Sequence, residues 1–194
     1  WDSNTLAAST KLWGCIWEAG GGGAFVVSTY EDTGKRTPNP PLVAGHKAAV
    51  LDIQFSPFNP YIVASASEDC MVKIWVLPEN GLEEDMLEEA QLCKGHKRKV
   101  GGLAWHPTAN NVLASTSTDY LVKLWDVEKG DVNCEIKGHS NIIQSIAWNK
   151  DGSQMISSSK DKKLRLFDPR QQDSVSEWKS HDGIKGARVL FAPD

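Results

Sequence analysis

The sequence has few of the features that mark membrane, secreted or metal-binding proteins. No apolar run approaches the roughly 18 residues that cross a bilayer, and no charged-then-apolar leader stands at the start. The four cysteines, Cys15, Cys70, Cys93 and Cys134, are widely separated and include no CxxC pair, so we expect reduced thiols and no metal site. These absences predict a cytoplasmic protein with no transmembrane segment.

An excess of positive charge is also missing. The formal net charge is -4 and the isoelectric point is near 5.7, which argues against a dedicated nucleic-acid-binding protein. Apolar residues make up 40% and charged residues 24% of the chain, as in ordinary globular proteins. Any basic binding surface must therefore be local.

The sequence contains no motif typical of catalysis or nucleotide binding. It lacks the GxSxG segment of a hydrolase, and the glycine run at 20–23 does not end in GK[ST]. That run joins two strand-like segments, "KLWGCIW" and "AFVV", so we interpret it as a tight turn. We expect no enzymatic activity and no cofactor.

The two ends indicate a fragment. The chain starts at Trp1 rather than Met, and its last residues, "RVLFAPD", read as the opening of another strand. We therefore expect part of a longer protein.

An internal repeat is the strongest signal present. Gly-His occurs at His46, His96 and His139, and Ser180-His181 is a degenerate fourth copy, so the histidines are 50, 43 and 42 residues apart. Periods of about 40 to 45 residues are typical of propeller blades of the WD-repeat kind.

Each period contains the same succession of short segments rich in Val, Ile and aromatic residues. After His96 these are "VGGLAWHP", "VLASTSTD" and "LVKLWDVE", and a fourth segment precedes the next Gly-His. Segments bounded by Pro, Asn, Gly and Asp are typical of antiparallel strands joined by tight turns. The pattern predicts an all-β fold, an incomplete WD-repeat β-propeller with about four blades.

Each Gly-His has an Asp 22 or 23 residues later, a Ser four places before that Asp, and an aromatic residue six places after it. Such sets form the hydrogen-bonded Asp, His, Ser and Trp tetrad of WD repeats, in which imidazole bridges carboxylate and hydroxyl. The predicted members are His46, Ser65, Asp69 and Trp75; His96, Ser115, Asp119 and Trp125; and His139, Ser157 and Asp161. Phe167 stands where the third set would have Trp, so we expect that tetrad to be incomplete. Because the histidines recur in register, we interpret them as structural groups rather than as general bases or metal ligands.

Several less generic segments resemble the coronins, a family of WD-repeat proteins. They are "EAGGGGAFVV", the run from "GHKAAV" to "WVLPENGL", "GHKRKVGGLAWHPTANNVLAST" and "SKDKKLRLFDPR", in the order and spacing of that family. The resemblance implies the N-terminal half of a seven-bladed propeller that binds filamentous actin in the cytoplasm. It also implies a link to the branched-actin nucleating complex. The family's basic segment ahead of the first blade is absent.

The repeat divides the chain into successive blades. We expect a partial first blade in 1–44, WD-repeat blades in 45–94, 95–137 and 138–179, and the start of a further blade in 180–194. The extra length of the second unit lies in an acidic insertion at 78–89. We expect this insertion to be a surface loop that leaves its blade intact.

Strand direction predicts that the Gly-His turns and the Asp turns share one edge of the propeller. Its expected cations are Lys47, Lys97, Arg98, Lys99, Lys160, Lys162 and Lys163. A basic edge on an acidic protein is suited to an acidic partner such as filamentous actin. The alternatives are a scaffold that binds another protein, an anionic phosphoinositide membrane, or lysines that are merely solvated.

Overall fold

The computed structural model describes residues 4–19, 22–35, 38–171, 173–180 and 187–192 of the protein. This part of the chain contains sixteen β-strands and no helix. The all-β prediction is therefore confirmed.

The strands form four antiparallel sheets of four strands each within the described residues. Sheet A contains β1 (Leu6–Ala8), β2 (Leu12–Ala19), β3 (Gly22–Thr29) and β4 (Leu42–His46). Sheet B contains β5 (Val50–Phe55), β6 (Ile62–Ser67), β7 (Met71–Val76) and β8 (Gln91–Lys94). Sheet C contains β9 (Val100–Trp105), β10 (Val112–Ser117), β11 (Val122–Asp126) and β12 (Asp131–Ile136). Sheet D contains β13 (Ile143–Trp148), β14 (Met155–Ser159), β15 (Lys163–Asp168) and β16 (Asp173–Lys179).

Each sheet is a meander whose strands follow chain order, and the first strands of successive sheets lie side by side. The second strand of sheets B, C and D is built mainly of small residues, "IVASAS", "VLASTS" and "MISSS", and is largely buried. Small side chains allow neighbouring sheets to approach closely near the inner strands. The result is a stack of sheets around a common axis, as in a propeller.

The hydrophobic core lies between consecutive sheets. One cluster joins sheets A and B around Phe25 and Trp75, whose rings meet edge to face at 6.1 Å. A second joins sheets B and C around Trp125, and a third joins sheets C and D around Phe167 and Met155. Sheets B and C each have a neighbouring sheet on both faces, so their strands bury side chains on both faces.

The boundaries of the first unit differ from the expectation of a partial blade in 1–44. A four-stranded sheet spans Leu6 to His46 and includes Gly45 and His46 in its outer strand β4. His46 pairs with Gly23 of β3, where a Cβ atom would lie only 1.9 Å from the Ala48 carbonyl oxygen. Glycine at position 23 thus lets the chain turn closely from sheet A into sheet B.

The last predicted unit, 180–194, is described only at residue 180 and at 187–192, which form no strand there. The Val189 N–H nevertheless bonds the Ser145 hydroxyl of β13 at 3.3 Å. That these residues open a further blade stays a prediction. His181 lies outside the described residues, as do Gly20 and Gly21 of the glycine run.

The acidic insertion lies between β7 and β8 but packs against sheet A. Met86 forms a parallel bridge with Val43 of β4, through hydrogen bonds of 2.8 and 2.9 Å to the main chains of Leu42 and Ala44. The Asp85 carboxylate accepts the Leu42 N–H at 2.8 Å. The insertion is therefore not a detached loop, because it covers part of the outer edge of the neighbouring sheet.

Candidate functional site

The structure brings together the side chains of the first two predicted tetrads. His46 Nδ1 lies 2.9 Å from Asp69 and its Nε2 lies 2.7 Å from the Ser65 hydroxyl, which also accepts the Trp75 indole N–H at 2.8 Å. The second set repeats this geometry through His96, Ser115, Asp119 and Trp125, with corresponding distances of 2.9, 2.8 and 2.7 Å.

The protonation of these sets follows from their partners. Burial opposes ionisation of Asp119, but its hydrogen bonds from His96 and from the main-chain N–H of Lys97 outweigh this effect and lower its pKa to about 2. An ionised carboxylate only accepts, so His96 Nδ1 donates to it. In the tautomer that carries its proton on Nδ1, Nε2 accepts the Ser115 O–H, and the serine oxygen accepts the indole N–H. Every buried polar atom of the set has a partner.

The third set lacks the indole. Phe167 is 1% exposed and its ring lies edge to face with His139 at 6.2 Å, so the Ser157 hydroxyl bonds only His139 Nε2, at 2.6 Å. Here Arg165 adds a contact that the other sets lack, donating to the Asp161 carboxylate at 2.8 Å. Although burial opposes it, this guanidinium and His139 hold the pKa of Asp161 well below its usual range.

A repeated basic residue was missed by the sequence analysis. Lys73, Lys123 and Arg165 stand two places before the tetrad aromatic, and each pairs with a glutamate on the outer side of its sheet: Glu89, Glu135 and Glu177 respectively. Residues two apart on a strand share a face, so each cation lies beside the tetrad. The pattern "KIW", "KLW" and "RLF" was the available signal.

Each tetrad connects two sheets. His46 ends the outer strand of sheet A, whereas Ser65, Asp69 and Trp75 belong to sheet B and its turn. His96 follows β8 of sheet B and bonds Ser115 of sheet C in the same way. The histidines therefore form hydrogen bonds between consecutive sheets rather than within one sheet.

The turns that carry these groups lie together at one end of the sheets. We call this end the Gly-His edge: residues 47–49, 97–99 and 140–142 with the Asp turns 68–70, 118–120 and 160–162. The two turn types are joined by main-chain hydrogen bonds, from Glu68 to Ala49 at 2.9 Å, from Thr118 to Lys99 at 3.0 Å, and from Lys160 to Ile142 at 2.9 Å. The shared edge expected from strand direction is present in the structure.

The seven predicted cations are not equivalent. Lys47, Lys97, Arg98, Lys160 and Lys162 are exposed on the Gly-His edge. Lys99 lies there too but forms an ion pair of 2.7 Å with Glu68 of the neighbouring turn. Lys163 lies at the start of β15 and pairs with Glu177, so part of its charge is compensated within sheet D.

Two acidic residues of the insertion are held by other parts of the chain. Glu89 is drawn to Lys73, whose ammonium group also donates to the Gly45 carbonyl at 2.9 Å. The Lys73 ion pair lowers the pKa of Glu89. Asp85 is used by the main chain of β4.

The described residues contain no group of three or more His, Cys, Asp or Glu side chains placed to hold a metal ion. Burial raises the pKa of Cys70, of Cys134 and, to about 12, of Cys93. Thiols with raised pKa values are poor nucleophiles at neutral pH. Within the same part of the chain, no helix is long and apolar enough to span a membrane.

Comparison with known families places these features in a class. The model of the WD domain, G-beta repeat, matches residues 40–76, 88–126 and 130–168, and a domain of unknown function (DUF1899) matches residues 1–35. The WD40 domain of Doa1 superposes with a TM-score of 0.70 at 20% identity, covering 92% of this chain and 55% of that chain, which shows the fold alone. The chain is part of a WD-repeat β-propeller.

Two relatives identify the family within that class. Coronin-A of Dictyostelium discoideum is 55% identical over 194 residues, covering 100% of this chain and 43% of the relative. The WD40 domain of a Toxoplasma gondii coronin superposes with a TM-score of 0.91 at 34% identity, covering 97% of this chain and 48% of that chain. The chain belongs to the coronin family, and it spans about half the length of these relatives. This membership points to a scaffold-type protein rather than to a catalyst.

Proposed function

We propose that this chain is the actin-filament-binding part of a coronin-like, non-catalytic regulator of actin dynamics in the cytoplasm, and that the Gly-His edge contacts the filament. Support comes from the chain's membership of the coronin family. Its members have a WD-repeat propeller, and a role in actin regulation is consistent with that membership. The exposed cations of that edge are the feature of this chain that an acidic filament would contact.

The observation that carries the proposal is the fixed display of Lys97 and Arg98. The Lys97 N–H bonds Asp119 at 3.1 Å, and the Arg98 carbonyl accepts the Ser117 hydroxyl at 3.0 Å. Both side chains are exposed on a turn whose main chain is held by the tetrad. Cations that extend from a fixed turn on a protein of net charge -4 create a local positive field that attracts an acidic partner.

Co-sedimentation with filamentous actin tests this proposal in the full-length protein. The variant Lys97→Glu/Arg98→Glu should bind about tenfold more weakly, roughly 1.4 kcal/mol, with a weaker dependence on salt. The matched control Lys150→Glu/Arg170→Glu makes the same change of charge in the turns at the opposite end, where both side chains are exposed. Lys99 is left intact because its reversal would face Glu68.

The outcomes separate the candidate partners. If the wild-type protein stays in the supernatant at low salt, the proposal is contradicted. If the test variant and the control variant bind the filament with equal affinity, the Gly-His edge is not part of the contact. Flotation with phosphoinositide-containing liposomes tests the membrane alternative, since anionic headgroups suit the same cations. Binding to the branched-actin nucleating complex, which the family resemblance implies, would be followed by pull-down with the same variants.

A further inference from the structure

Three residues on the Gly-His edge have an unusual backbone conformation. Cys70, Tyr120 and Lys162 directly follow the tetrad aspartates and have φ values of 71°, 71° and 65°. This left-handed region is uncommon for residues other than Gly, Asn and Asp. The same position in three successive sheets thus presents three different side chains in one fixed backbone state.

The turn itself accounts for the backbone conformation. The N–H of Tyr120 bonds the Ser117 carbonyl at 3.1 Å, and the Asp119 carboxylate accepts the Leu121 N–H at 3.1 Å. The turn at Cys70 has the corresponding bonds from Cys70 to the Ser67 carbonyl, at 3.3 Å, and from Met71 to Asp69, at 3.0 Å. Hairpin turns of this kind require a positive φ, which glycine or asparagine adopts with less strain than tyrosine.

The side chain of Tyr120 is therefore not explained by the fold. It is 37% exposed, although it is a large aromatic group. Its chain neighbour Asp119 accepts the Lys97 N–H at 3.1 Å, so Tyr120 and Lys97 extend from turns that are bonded to each other.

The turns that adjoin the Tyr120 turn also carry charged side chains. The ion pair between Glu68 and Lys99 joins the turn of Cys70 to the Gly-His turn that leads into sheet C. Burial and then the charges of Asp69 and Asp119 raise the pKa of Cys70, so its thiol stays protonated. Cys70 is thus a neutral comparison for Tyr120 at the equivalent position.

We propose that Tyr120 is an aromatic anchor of the Gly-His edge, which packs against an acidic protein surface while the flanking cations attract that surface from a distance. The inference rests on the proposed function and takes the actin filament as that surface. Tyrosine is enriched at such contacts because it combines a large apolar area with a hydroxyl group and few rotatable bonds. Because the turn already fixes the main chain, binding costs little additional conformational entropy there.

The two contributions differ in their response to salt. Charges displayed around a contact act mainly on the association rate and on the salt dependence of binding. Short-range packing of an aromatic ring is not screened by salt. Loss of Tyr120 should therefore weaken binding with an unchanged salt dependence, whereas loss of Lys97 and Arg98 should reduce both.

The test is the variant Tyr120→Asn in the full-length protein, compared with Cys70→Asn. Asparagine accepts the left-handed conformation, so neither variant should melt below the wild type. Tyr120→Asn should weaken co-sedimentation with filamentous actin about tenfold at every salt concentration. Cys70→Asn relieves the same strain without removing a ring, and its affinity should equal that of the wild type.

A Tyr120→Asn affinity within about twofold of the wild type overturns the inference while leaving the proposed function standing. Should Tyr120→Asn fail to fold, Tyr120→Gly supplies the same measurement, since glycine carries no side chain to strain the turn. Wild-type protein that does not pellet overturns the proposed function and the inference with it.

Discussion

Replacing Ser115 and Ser157 separately by alanine would measure what the tetrad indole contributes to stability. Both serines are fully buried. Ser115→Ala leaves two buried groups without partners, the Nε2 acceptor of His96 and the indole N–H of Trp125. Ser157→Ala leaves only Nε2 of His139 without a partner, because Phe167 has no donor.

Each buried group that loses its partner costs about 1 to 3 kcal/mol. The volume removed is the same in both variants, so the cavity contribution largely cancels. Ser115→Ala should therefore lower the free energy of unfolding by about 1 to 3 kcal/mol more than Ser157→Ala does. Urea unfolding of the full-length protein, with the slope m compared between variants, provides the measurement.

Equal losses for the two serines would refute this reasoning. They would mean that the indole N–H of Trp125 finds another acceptor or contributes nothing in its present position. The same serine replacement in a Trp125→Phe background offers a further check, because it no longer strands an indole N–H and should therefore cost less than Ser115→Ala does in the wild type.

Two further predictions concern acid and the inner turn. The folded-state pKa values of Asp69 and Asp119 are lowered to about 2, so the stability that these carboxylates contribute is present above about pH 4 and is lost as the pH falls towards 2. The urea midpoint of unfolding should therefore decline between about pH 5 and pH 2. A midpoint that does not change over this range would contradict the prediction. Gly23→Ala should destabilise the protein by more than about 3 kcal/mol, since the new Cβ would lie 1.9 Å from the backbone oxygen of Ala48. Gly102→Ala should cost less than Gly23→Ala in the same unfolding measurement, because its nearest contact, at 2.8 Å, is a threonine hydroxyl that can rotate.

The tetrads could be predicted from the sequence because their geometry depends on spacing alone. An Asp 22 or 23 residues after each His, with Ser and an aromatic residue at fixed offsets, determines which groups meet once the hairpins form. The sequence predicted which side chains bond each other but not which sheet each one belongs to. His46 lies in the outer strand of sheet A, and its side chain bonds Ser65 of sheet B.

The cations illustrate what spacing cannot provide. Turn positions predicted that all seven would share an edge, but partners from other elements decide which charges remain available. Glu68 is 31 residues from Lys99, and Glu177 reaches Lys163 and Arg165 from the next strand. Such pairings depend on how strands register, which a single sequence does not specify.

The acidic insertion lies where the sequence predicted a surface loop, but its attachment to sheet A was not predicted. Its composition is that of a solvated loop, and five of the seven residues at 83–89 are acidic. Two main-chain hydrogen bonds at Met86 and one from the Leu42 N–H to Asp85 attach it to β4. A single bridging residue leaves no periodic pattern, so the attachment could be found only in three dimensions.

The histidine contacts between sheets have a consequence for how the protein comes apart. Opening sheet A at β4 would withdraw His46 from Ser65 and Asp69, so sheet B would lose buried partners at the moment its neighbour melts. Nearest-neighbour terms of this kind make a repeat array lose structure in linked steps. Amide hydrogen exchange should therefore show slow protons arranged in blocks that straddle the junctions, each running from an outer strand into the sheet that follows.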